Sequence, residues 1–131
     1  MGADMTSPRV TPYSAAHGRG AAGHAAHHWW AQRVSAVALV PLVVWLALAL
    51  ASGAAADCAA LTVWLKAPLN TILMILLLVA AFHHAALGLK TIAEDYIHSR
   101  ARFAIIAFVQ LACAAGGATG IVATMLIAMA N

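Results

Sequence analysis

Three long runs without a charged residue stand out along the chain, at 34–56, 67–89 and 103–131. A helix rises about 1.5 Å per residue, so about 20 residues cross a hydrocarbon core about 30 Å thick. Each run passes that test. Their Ala- and Leu-rich content suits helices better than barrel strands, and helices satisfy their own backbone hydrogen bonds inside lipid. The breaks agree. Ser52-Gly53 weakens the end of the first helix, and Asp57 and Lys66 bracket a short loop. Pro68 stands near the start of the second helix, where a missing N–H costs little. Pro41 lies inside the first helix, where a proline can kink it. Glu94, Asp95, Arg100 and Arg102 mark the second connection. The pattern predicts an all-α membrane protein with three transmembrane helices, at about 30–54, 67–93 and 101–129. These form one unit, residues 29–131. Residues 1–28 carry Pro8, Pro12, Gly18, Gly20 and Gly23 and read as a flexible cytoplasmic arm.

Composition strengthens the membrane reading. Of 131 residues, 64% are hydrophobic and 8% charged, and the mean hydropathy is +0.89. A water-soluble domain of this size needs far more charge to cover its surface, so the surplus apolar area faces lipid. The formal net charge of +3 carries no nucleic-acid signal. It sets orientation instead. Arg9, Arg19 and Arg33 precede the first helix, Lys90, Arg100 and Arg102 flank the second connection, and Lys66 lies in the first. Positive charge stays inside, so the N-terminus is expected in the cytoplasm and the C-terminus in the periplasm of a bacterial inner membrane. Cys58 and Cys113 show no paired or metal-ligand spacing, and Cys113 reads as a small packing residue. The arm has no apolar core of the signal-peptide kind. Its His17, His24, His27 and His28 form a tract that can bind metal or simply serve as a polar lead-in. Gly116, Gly117 and Gly120 put small residues at i and i+4, which permits close helix contact or ordinary alanine-and-glycine packing.

Candidate chemistry begins with imidazoles inside the second run. Such groups are costly in a membrane without a partner. His83 and His84 point about 100° apart on a helix and cannot share one ligand site, so one of them faces a bundle interior. From His84, steps of four, three and four residues reach Gly88, Thr91 and Asp95, a rise of roughly 16 Å. That stripe joins a possible haem ligand, a residue with no side chain to obstruct a flat macrocycle, and a carboxylate at the membrane edge. The stripe from His83 runs through Leu87, Lys90 and Glu94 and offers nothing similar. Neutral imidazole is a common axial ligand of haem iron. The alternative is a histidine hydrogen-bonded to a neighbouring helix. Tyr96, beside Asp95, has a hydroxyl that can donate to a quinone carbonyl, or it can be a residue of the interfacial aromatic belt. Trp29, Trp30, Gln32 and Arg33 make an interfacial anchor, or Arg33 pairs with an anion such as a haem propionate.

Two stretches then resemble one family. HWWAQRVSAVALVPL at 28–42 is similar to the opening of the SdhD-type hydrophobic membrane-anchor subunit of bacterial succinate dehydrogenase. FHHAALGL at 82–89, followed by Glu-Asp-Tyr at 94–96, resembles its signature, in which a haem-ligating histidine lies eleven residues before an Asp-Tyr pair. His84 and Asp95 have that separation and His83 does not. The resemblance covers roughly residues 28–131. It implies that His84 is an axial ligand of haem b, opposite a histidine of a second anchor (cytochrome b) subunit. It implies that Tyr96 and Asp95 belong to a ubiquinone site and that Arg33 stands near the haem propionates; the helical stripe adds Gly88 as a residue packing beside the haem. It also implies partnership with an iron–sulfur subunit and a flavoprotein subunit, which oxidises succinate in the tricarboxylic acid cycle. The chain has no dinucleotide fingerprint and no cysteine cluster, so it catalyses nothing alone. A haem-free structural anchor of a fumarate reductase-type complex is the rival. A small transporter is a poorer fit, because all four acids lie outside the uncharged runs.

Overall fold

The structure, a computed structural model, describes residues 20–130, with side chains from Ala26 onward. Most of the arm, including His17 and the side chain of His24, lies outside the described residues. The described chain is helical throughout: α1 Gly20–Ala51, α2 Cys58–Lys66, α3 Pro68–Tyr96 and α4 Ala101–Met129. Three of these contain stretches long and apolar enough to cross a membrane, Ala26–Ala51, Pro68–Tyr96 and Ala101–Met129. The chain is a multi-pass, all-helical membrane protein.

Two boundaries differ from the sequence pattern. α1 begins at Gly20, so residues 20–28, expected in the arm, are helical. Alanine, the strongest helix former, occupies four of these positions and outweighs Gly23. The loop expected between Asp57 and Lys66 is instead the short helix α2. Asp57 is its N-cap, and its carboxylate accepts a hydrogen bond from the Ala60 backbone N–H at 2.7 Å. Other signals act as expected. Helix α1 ends before Ser52-Gly53, and Gly53 takes φ 90, which only glycine adopts without strain. Pro68 is the first residue of α3. α1 runs through Pro41 without ending.

The described residues fall into two units that divide between Ala31 and Gln32. In the first, Trp29 and Trp30 are exposed and meet edge to face at 5.2 Å. In the second, α3 and α4 pack along each other and α2 packs on both. The α3–α4 seam is a knob-and-groove contact. Phe82 lies over Gly116 and Gly117, and Leu78 lies over Gly120. A Cβ at Gly116 would stand 2.6 Å from Cε1 of Phe82, closer than real atoms come. Between membrane helices there is no water to expel, so this close van der Waals fit must hold the seam. Cys113 is buried in α4 and free, as a packing residue should be. α2 is tied to α1 by Trp45 and Trp64, stacked at 5.2 Å with ring planes 24° apart.

Little of the apolar surface is covered by the chain itself. Only 11%, 6% and 11% of the three spanning windows are buried. Val37, Val40, Leu48, Phe103, Phe108 and Leu111 are among many large exposed apolar residues. In water these faces would make patches far beyond those of soluble monomers. Lipid and other chains must cover them.

Candidate functional site

The two adjacent histidines of α3 have different surroundings. His83 is exposed and lines an outward groove with Leu78, Phe82, Gln110 and Cys113. His84 is half-buried and faces α1. Its Nδ1 lies 3.0 Å from Oγ of Ser35. The same hydroxyl donates to the Gln32 carbonyl at 3.0 Å. A serine hydroxyl carries one proton, and a carbonyl can only accept. When that proton points to His84, Nδ1 is the acceptor; when it points to Gln32, His84 is the donor in its own bond. In the second arrangement Nδ1 carries the ring proton, and Nε2 keeps its lone pair. Ser35 is 7% exposed, so the contact is protected.

Gly88 is one turn further along α3. A Cβ there would lie 3.3 Å from Nε2 of Gln32, so the glycine makes room for the Gln32 side chain. Gln32 and Ser35 on α1 thus meet Gly88 and His84 on α3. Arg33, between them in sequence, is exposed. Thr91 is exposed, and its hydroxyl turns back to the Leu87 carbonyl at 3.1 Å.

Asp95 and Tyr96 close α3 and are exposed, Tyr96 at 82%. Carboxylates at a helix C-terminus oppose the helix dipole, at a cost of order 0.3–1 kcal/mol each. Glu94 is compensated in part by Lys90 at 3.9 Å, one turn earlier. Asp95 has no ion-pair partner among the described residues.

The structure therefore brings His84 and Gly88 together with α1 and sets Asp95 and Tyr96 at the exposed end of the same helix. Ser35 was not singled out in the sequence. The available signal was a hydroxyl in an otherwise apolar run, two residues after Arg33. Among the described residues no cluster of three or more metal-ligating side chains occurs.

Three spanning helices whose apolar faces the chain leaves largely uncovered define the class: a small helical membrane subunit. Comparison names the family. Residues 7–117 match the succinate dehydrogenase/fumarate reductase transmembrane subunits, and the chain belongs to that family. The chain is 34% identical over 96 residues to the succinate dehydrogenase hydrophobic membrane anchor subunit of Rickettsia conorii, covering 72% of this chain and 76% of that one. The protein of the same name from Rickettsia felis is 31% identical over 88 residues, 66% of this chain and 73% of that one. That of Paracoccus denitrificans is 29% identical over 99 residues, 76% and 77% of the two chains. No solved structure gives a significant match.

Proposed function

We propose that the chain is the hydrophobic anchor of a succinate dehydrogenase, supplying one axial ligand to haem b and part of a ubiquinone-reduction site. The observation that carries this reading is His84: a half-buried imidazole whose Nδ1 lies 3.0 Å from Ser35 Oγ, an arrangement in which Nε2 can keep its lone pair for a metal. Iron ligation needs that nitrogen free, and metal-bound histidines usually donate their other N–H to a neighbouring acceptor. The donor set fits a haem. When bound, the haem would supply a one-electron carrier inside the membrane.

The chain's own residues do the rest. His84 holds its ring fixed through Ser35. Gly88 flanks the same face of α3, and Arg33 offers a guanidinium to a propionate. Tyr96 donates its hydroxyl to a quinone carbonyl oxygen, and Asp95 beside it orients that hydroxyl or passes on a proton. A cytochrome b anchor subunit would help hold the haem from its other side and cover exposed apolar faces of this chain. An iron–sulfur and a flavoprotein subunit dock at the Tyr96 end. The distribution of basic residues supports a cytoplasmic location, in a bacterium, for that end and for the N-terminus.

A haem-free anchor of the fumarate reductase type is the second reading. It is favoured by the fact that the bond to Ser35 already satisfies one side of His84. Purification of the native complex through a tag on this chain separates the two. The expected inventory is three further subunits and one b-type haem. An intact four-subunit complex without haem would select the second reading.

A further inference from the structure

We infer that Ser35 is a positioning residue for the haem: its hydroxyl fixes the tautomer and orientation of His84 and makes the imidazole a stronger donor to iron. The inference rests on His84 being an axial ligand and goes beyond it, since the family motif names the ligand and not what holds it. Three groups line up: His84 Nδ1 lies 3.0 Å from Ser35 Oγ, and Ser35 Oγ–H donates to the Gln32 carbonyl at 3.0 Å, so the Nδ1–H tautomer of His84 completes a directed chain. Each bond polarises the next, more strongly in a low dielectric than in water. A hydrogen bond accepted from Nδ1–H moves electron density to Nε2, which stabilises ferric over ferrous iron. The arrangement is built into the fold. Ser35 is buried and anchored to its own helix one turn back, so the hydroxyl is aimed before any cofactor arrives. Gln32 in turn is seated over Gly88.

The test uses the assembled complex carrying Ser35→Ala, Ser35→Thr and His84→Ala, with haem content, midpoint potential and the ferric EPR spectrum as readouts. Ser35→Ala should keep its b-type spectrum, shift the low-spin EPR signal and raise the midpoint potential. The expected rise corresponds to up to a tenfold change in the ferric/ferrous equilibrium, about 59 mV for a one-electron couple. Ser35→Thr keeps the hydroxyl and should match wild type. Loss of haem in Ser35→Ala but not in Ser35→Thr would equally support the role. Wild-type potential and EPR in Ser35→Ala, or equal shifts in both serine variants, would overturn it. His84→Ala keeps the two questions apart. If that complex retains a wild-type haem spectrum, His84 is not the ligand and the proposed function itself fails. If it lacks haem while Ser35→Ala is silent, only the role of Ser35 fails.

Discussion

Two faces of α3 carry different kinds of contact. Toward α4, Phe82 and Leu78 drop into a groove made by Gly116, Gly117 and Gly120. That contact is apolar and close-fitting. Toward α1, His84 meets Ser35, and Gly88 makes room for Gln32. That face is joined by a few polar groups. Lipid is as apolar as leucine, so an imidazole–hydroxyl pair is not needed to hold two membrane helices together when a small-residue seam will do. Polar side chains there are costly to keep, and function is the default explanation for them. The α4 face is built for structure, and the α1 face is the one we propose for chemistry.

Four substitutions can break or sharpen this contrast. Gly116→Val attacks the structural face. The added carbons collide with the Phe82 ring, and overpacking of this kind costs about 1–3 kcal/mol or more. The assembled complex should lose thermal stability, with haem and quinone activity falling together; a stable complex would mean that the seam is looser than described. Tyr96→Phe, at the end of α3, should act in the opposite way. Quinone reduction is expected to fall about tenfold, the size of one lost hydrogen bond of about 1.4 kcal/mol, while succinate oxidation by an artificial acceptor stays intact. Equal loss of both activities would indicate misassembly instead.

Smaller effects follow. Trp45→Ala removes the stacked pair with Trp64, a contact worth about 0.5–1.5 kcal/mol beyond its area. Faster hydrogen exchange confined to residues 58–66 is expected, and unchanged exchange there would deny the stack a role in holding α2. Thr91→Val should change stability by less than about 0.5 kcal/mol and leave haem and quinone activity alone, because the Thr91 hydroxyl only turns back on its own helix. A large effect would add Thr91 to the functional face.

Much of the architecture was legible in the chain because membrane spanning imposes a length and an absence of charge. The three runs, Pro68 and Ser52-Gly53 all marked what they were expected to mark. Helix α2 was missed because Asp57 and Lys66 read as loop charges, whereas Asp57 is an N-cap. The start of α1 was missed because glycines and prolines were weighed above the alanines between them. At the site, the stripe from His84 through Gly88 to Asp95 could be drawn from helical periodicity. What could not be drawn was the partner of His84. Ser35 lies on another helix, and nothing local in a sequence says which hydroxyl a distant helix will meet. Nor could periodicity say that His83 would look outward beside Gln110.

Those adjacent histidines offer the most direct test. Purified complexes carrying His83→Ala or His84→Ala are compared by their dithionite-reduced absorption spectra and haem content per complex. The account predicts that His83→Ala keeps the b-type spectrum and full haem, and that an assembled His84→Ala complex has lost it. A normal haem spectrum in His84→Ala, or its loss in His83→Ala alone, would contradict the account.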